Sequence, residues 1–382
     1  MEKIYDCILK LMRCSLGTGN ENIEDIKIHD WELLYSTLLQ LRVDTILFPI
    51  VEKIAKSCDY DAEVLKHWSN RVRQVSLGQM FSLMSINSFL NEFKKAEIPV
   101  IILKGLAISR FYEKPELRAF NDLDILVESR FMLQAQRKIE EMGYVLDRTE
   151  EDDHGLHYSY KKEGAVYLEL HYELVHSGLI GKRNTEKYYS HIWNNYGQAS
   201  CFGVSFKAMA VEDELVNQII HLATHLVYYG VSMKALYDIA LIIKTSGSKL
   251  DLDYITMILE DINLYKFGQL IFSLCKTFFL VDIDGDLKDA STVEVRNFMD
   301  DFMNYYAVQT FYYELNGWCK IISEFKFLCR HVAFFPFICL VEIMSQLNMH
   351  KFSLKIVKSN SLKNIKLHSK KIKLLKKMEL IL

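Results

Sequence analysis

The chain has 382 residues, half of them apolar, with 46 Lys plus Arg against 49 Asp plus Glu and a formal charge of -3. A chain of that length and apolar content buries a core large enough for two or three domains, which excludes an intrinsically disordered protein. The near balance of charge excludes a global field that would gather nucleic acid or an anionic surface, so any electrostatic partner must be read locally.

Residues Met1 to Leu16 carry scattered charges (Glu2, Lys3, Asp6, Lys10, Arg13) and no uninterrupted apolar core. That is not the pattern of a secretory signal, and a cytoplasmic location is expected. The eight cysteines (Cys7, Cys14, Cys58, Cys201, Cys275, Cys319, Cys329, Cys339) form no CxxC pairs. Free thiols in a reducing compartment fit this spacing; a structural cysteine–zinc cluster does not. The stretches Leu264 to Val281 and His331 to Leu347 are apolar but interrupted by Lys266, Lys276 and Glu342. They read as buried helices of a bundle rather than membrane spans.

Taken in order, Asp30 is placed to cap a helix from Trp31 through Leu41, and Thr45 to Ala55 repeats apolar residues at helical spacing. From Ala62 to Lys95 the positions Val64, Trp68, Val72, Val75, Met80, Leu83, Ile86 and Phe89 predict one long helix, bent near Gly78. The period then changes. The run Ile98-Pro-Val-Ile-Ile-Leu-Lys-Gly predicts a strand and a tight turn, followed by a helix over Leu106 to Phe111. Leu123 to Val127 reads as a strand, Ser129 to Met142 as a helix ended by Gly143, and Tyr144 to Leu146 as a short strand. His157 to Lys161 and Ala165 to Tyr172 alternate as two antiparallel strands joined through Glu163-Gly164.

Strands are expected largely to stop there. Helical periodicity returns near Glu212 to Tyr228, Met233 to Lys244, Leu252 to Leu259 and Tyr265 to Leu280, with further segments up to Leu347. The end, Lys351 to Leu382, holds ten lysines against one glutamate. It reads as a basic tail able to contact an anionic partner, or simply as a solvated terminus. The division expected is an N-terminal helical region (1–80), a core (81–176), a C-terminal helical domain (177–347) and the tail (348–382).

The chemistry concentrates in the core. Asp122 and Asp124 are two apart at the head of a strand, so both carboxylates face one way while Leu123 and Ile125 face the core. Two hard oxygen ligands on one rigid strand make a Mg²⁺ platform, although any strand with one wet face shows the same pattern. Upstream, the strand ending at Lys104-Gly105 offers turn amides and a lysine to phosphates; a plain strand-to-helix turn is the alternative. Downstream, alternation puts Tyr167, Glu169, His171 and Glu173 on one face. Glu169 is thus a third carboxylate, to complete a two-metal site or to take a proton.

These residues, Leu103-Lys104-Gly105, Tyr112, Arg118, Asn121-Asp122-Leu123-Asp124-Ile125-Leu126-Val127 and Leu168-Glu169-Leu170-His171, resemble the uncharacterised nucleotidyltransferase family of the polymerase-β-like superfamily. The likeness extends through Asp30-Trp31-Glu32-Leu33-Leu34, Arg42-Val43, His221, His225 and Leu236-Tyr237-Asp238-Ile239, roughly residues 30 to 245. It implies an α/β (α+β) fold, a small mixed sheet flanked by helices. It also implies a turn at Gly105 for nucleotide phosphates, Asp122, Asp124 and Glu169 as the Mg²⁺-binding trio, and an NTP as substrate. The broader superfamily prefers a serine after the turn glycine, where Leu106 stands here. Phosphate contacts are therefore assigned to Lys104, Ser109 or Arg118, the last as a bidentate clamp or else a surface partner of Glu116.

The expected reaction moves a nucleoside monophosphate from NTP to an acceptor hydroxyl of unread identity and releases pyrophosphate. Two rivals stand beside it. One is a relative that keeps the fold and binds without catalysing. The other is a metal-dependent phosphohydrolase using His221, His225 (i, i+4 on a helix) and Asp238.

Overall fold

The computed structural model describes residues 2–148, 157–174, 185–228, 232–283, 289–300 and 302. The helical segments expected beyond residue 302 and the basic tail lie outside the described residues.

The chain opens with α1 (Glu2–Leu16), α2 (Trp31–Gln40) and α3 (Asp44–Ala55), then the 34-residue α4 (Ala62–Lys95). Asp30 caps α2 through the Leu33 amide and Asp61 caps α4 through the amides of Glu63 and Val64, each satisfying a helix-end donor. There follow β1 (Val100–Ile102), α5 (Lys104–Ser109), β2 (Asp122–Val127), α6 (Met132–Glu141), β3 (Val145–Arg148), β4 (His157–Lys161) and β5 (Tyr167–His171). Then come α7 (Thr185–Asn194), β6 (Tyr196–Cys201), β7 (Val204–Met209), α8 (Val211–Tyr228), α9 (Met233–Ser246), α10 (Leu252–Asp261) and α11 (Tyr265–Phe279).

The seven strands form one mixed sheet in the order β3-β4-β5-β2-β1-β7-β6. β2 runs antiparallel to β1 and parallel to β5, while β4 runs antiparallel to β5. The strands did not stop at Tyr172: β6 and β7 close around Phe202 and Gly203, both at positive φ, and β7 joins the sheet parallel to β1. Ser, Gln, Lys and Ala in Gly197 to Ala208 hide the alternation that marks an apolar strand, which is why this hairpin was not anticipated.

The period of two divides the sheet between two cores. Leu123, Ile125 and Val127 pack with Leu83, Ile86, Phe89 and Phe93 of α4 and with Ala135 and Ile139 of α6. Leu126 and Ile101 face the other way, into a core shared by α1–α3 and α8–α11. Trp68 and Val72 join this second core, so α4 serves both, and its apolar stripe explains why it persists for some 50 Å. The stretch Leu264 to Val281 is mostly the buried helix α11. Among the described residues no helix is long and apolar enough to cross a membrane, and all five described cysteines are free.

Candidate active site

Asp122 and Asp124 leave β2 on the face opposite Leu123 and Ile125. The parallel register sets Asp124 beside Glu169 on β5. Oxygens of Asp122, Asp124 and Glu169 therefore lie within 4.8 Å of one another. The sequence-predicted trio is one cluster.

Lys104 reaches it from the turn after β1, its Nζ donating to Asp124 Oδ1 at 2.9 Å. His171 Nε2 meets the same oxygen at 3.0 Å and Glu169 Oε2 at 3.4 Å. Burial alone would raise Asp124, but the Lys104 charge and the His171 hydrogen bond outweigh it and hold the carboxyl well below the usual range. Asp122 and Glu169 go the other way: burial and then the Asp124 charge raise both. Burial works against the Lys104 charge, yet Asp124 and Glu169 more than offset it, so this lysine stays charged. Three carboxylates with raised and lowered members form a hard-oxygen donor set short of positive charge, and that fits a divalent cation such as Mg²⁺.

The loop delivering Asp122 is braced from several sides. Thr45 of α3 donates to the Leu117 carbonyl at 2.5 Å, Lys234 of α9 to the Ala119 carbonyl at 2.9 Å and Gln79 of α4 to the Phe120 carbonyl at 2.9 Å. The Phe120 amide returns to Gln79 at 3.3 Å. Phe120 in turn explains Gly105: a Cβ there would meet Phe120 Cβ and Cγ at 3.1 and 3.2 Å. The residue forced to positive φ at this turn is Lys104, at 43°, rather than the glycine.

Arg118 is no open phosphate clamp, nor does it pair with Glu116. Its Nε and Nη2 bind Asp238 at 2.9 and 2.8 Å, and its Nη1 donates to the Gly105 carbonyl at 2.8 Å. Tyr112 donates to the same Asp238 carboxylate at 2.5 Å. Ser109, fully buried, gives its hydroxyl to the Gly105 carbonyl at 2.9 Å. Both residues grip the turn from behind. An arginine fork matches a buried carboxylate as well as it matches a phosphate, and the chain alone does not say which is near.

His221 and His225 stack edge to face, 4.1 Å between ring centroids. Burial, then the Lys104 charge, hold His221 well below its usual value. Asp238, held by Arg118 and Tyr112, does not complete a metal set with these histidines among the described residues. Asp238 is thus committed to Arg118 and Tyr112 rather than to the histidine pair.

Two neighbours went unread in the sequence. Lys234 feels both Arg118 and Asp122, and burial pushes it down to about 8. His157 stands opposite His171 across β4 and β5.

No curated protein sequence matches the chain significantly. Among solved structures, the antibiotic-resistance factor ANT(2'')-Ia matches at 12% identity over 49% of this chain and 93% of its own, with a TM-score of 0.34. The lincosamide antibiotic adenylyltransferase LnuA, lincomycin-bound, matches at 17% identity over 42% and 94%, with a TM-score of 0.30. An antigenic nucleotidyltransferase-like protein from Paracoccidioides brasiliensis matches at 13% identity over 54% and 94%, with a TM-score of 0.32. A family model described as "Uncharacterised nucleotidyltransferase" matches residues 28–280, more than half of the sequence. With the carboxylates, the turn and the sheet all inside that span, the chain belongs to the uncharacterised nucleotidyltransferase family.

Proposed function

We propose that this protein transfers a nucleoside monophosphate from an NTP to an acceptor hydroxyl. The acceptor oxygen bonds to the α-phosphorus, the bond from that phosphorus to the bridging oxygen breaks, and pyrophosphate leaves. The observation that carries this is the convergence of Asp122, Asp124 and Glu169 within 4.8 Å on one sheet face, beside the Lys104 turn.

Asp122, Asp124 and Glu169 would hold Mg²⁺, which supplies charge neutralisation for the triphosphate and the leaving group. Glu169, whose carboxyl is raised, takes the acceptor's proton as the new bond forms. Lys104 turns from Asp124 towards the phosphates. Gly105 stays packed on Phe120 and lets the turn lie close to β2, while Ser109 and Arg118 act on the nucleotide indirectly, by fixing the Gly105 carbonyl.

The test is to incubate the protein with each labelled NTP, Mg²⁺ and a cell extract, comparing wild type with Asp124→Asn. Losing a ligand worth several kcal/mol in the transition state predicts a drop of roughly 100-fold or more in labelled product. Equal labelling by the two proteins overturns the reading.

Two observations favour a second reading. Lys104 Nζ already occupies Oδ1 of Asp124, and Leu106 stands where the broader superfamily prefers a serine. A non-catalytic relative that binds NTP would show Mg²⁺-dependent NTP affinity with no labelled product from any extract.

A further inference from the structure

Beside the carboxylate trio, the antiparallel register pairs His157 on β4 directly with His171 on β5, and Glu169 lies two residues back on the same face. Directly opposed residues bring their Cβ atoms to about 5 Å, close enough for two imidazoles to share a ligand. Their rings are 4.6 Å apart between centroids. The Nε2 atoms of His171 and His157 lie 3.4 and 3.7 Å from the same Glu169 oxygen, Oε2, and the three ligand atoms fall within 4.8 Å of one another.

Those separations are informative. A tetrahedral cation with bonds of about 2.1 Å has ligand-to-ligand edges of about 3.4 Å. Small side-chain adjustments would therefore seat an ion among the three. Two imidazoles and one carboxylate suit zinc and its transition-metal neighbours, whereas Mg²⁺ prefers oxygen alone. Side-chain exposures of 14% for His157, 19% for Glu169 and 4% for His171 make the three largely buried, as a ligand set enclosing an ion requires.

We propose that His157, Glu169 and His171 form a binding site for a zinc-class divalent ion. The site adjoins the Asp122–Asp124 platform, sharing Glu169 with it and meeting it again where His171 Nε2 contacts Asp124 Oδ1 at 3.0 Å, a contact the ion would replace. An ion bound here draws the Glu169 carboxylate towards β4 and so couples its occupancy to that of the neighbouring platform. The proposal concerns metal binding alone and does not rest on nucleotidyl transfer.

Untagged, metal-stripped full-length protein titrated with Zn²⁺ against a chromophoric chelator tests it. Wild type binds one ion per chain at this site. His157→Ala weakens binding by more than about tenfold, because a lost ligand costs at least as much as a lost outer-sphere partner. His225→Ala, which removes an imidazole of the separate His221–His225 pair, leaves Zn²⁺ affinity unchanged. Co²⁺ in place of Zn²⁺ gives visible ligand-field bands without a thiolate charge-transfer band. X-ray absorption of the wild-type zinc adduct shows imidazole scattering and no sulfur, which tests the site even if His157→Ala fails to fold. Unchanged affinity in His157→Ala, equal weakening in His225→Ala, or sulfur around the metal each overturns the proposal. Since no readout involves a nucleotide, failure here leaves the transferase reading standing, and failure of that reading leaves this one standing.

Discussion

Lys104 Nζ and Asp124 Oδ1 meet at 2.9 Å, and the lysine reaches that position from a backbone held at a φ of 43°. A buried ion pair thus coincides with a conformation that L residues adopt only at some cost. The two effects separate by mutation. Lys104→Ala leaves Asp124, 3% exposed, without its cation and costs about 3 kcal/mol. Lys104→Gly loses the same charge but relieves the left-handed backbone, so it unfolds at a free energy about 1 kcal/mol higher than Lys104→Ala. Urea denaturation of the three proteins measures both quantities; equal stabilities for Gly and Ala would show that the turn carries no strain.

The Arg118–Asp238 pair ties the loop before β2 to α9, with side chains only 5% and 3% exposed. Removing either partner leaves the other charge buried, so Arg118→Ala and Asp238→Ala each cost about 3–5 kcal/mol. Arg118→Lys does not rescue, because a point charge cannot serve both Asp238 oxygens and the Gly105 carbonyl. The double variant should cost much less than the sum of the single ones, as thermal unfolding in a double-mutant cycle would show. Additive losses would mean the two side chains do not work together.

These two pairs mark how far the sequence could be read. Asp122, Asp124 and Glu169 were legible because a strand's period of two is a rigid rule and the carboxylates sit on strands with clear apolar partners. His157 was legible in principle: strands folded about Gly164 place residues 157 and 171 equidistant from the turn. Arg118 was not, since its partner Asp238 lies 120 residues away and only packing of α9 against the loop brings them together. The β6–β7 hairpin escaped for a different reason: β6 is exposed at Gly197, Gln198 and Ser200, on both of its faces, and so carries no apolar alternation.

Gln79 offers both ends of its amide to the backbone of Phe120, and it is buried on α4. Gln79→Leu keeps the volume but strands one N–H and one C=O, each costing about 1–3 kcal/mol when left unpaired in the interior. Because Phe120 backs Gly105 and precedes Asp122 by two residues, the same substitution loosens the approach to the carboxylates. Hydrogen exchange at the Phe120 amide should accelerate by at least about tenfold. Protection equal to wild type would show that the loop is held without this glutamine.

Glu214 on α8 is fully buried, with Arg110 no nearer than 3.8 Å and its Oε2 lacking a hydrogen bond. Burial pushes its carboxyl from 4.5 up to about 7, against the opposing pull of Arg110. The folded chain therefore keeps this proton where the unfolded chain has released it. The contribution of Glu214 to stability falls as pH rises from about 4.5 to about 7 and is flat above, the reverse of a salt-bridged carboxylate. Over that window the loss attributable to Glu214 is at most about 3 kcal/mol. Glu214→Gln stays neutral throughout and keeps a polar partner for Gln218. Its unfolding free energy relative to wild type should therefore climb between those two pH values and then level off, a difference that cancels the other carboxylates. Parallel curves for the two proteins from pH 4.5 to 8 would mean that Glu214 ionises in the folded chain as readily as in the unfolded one.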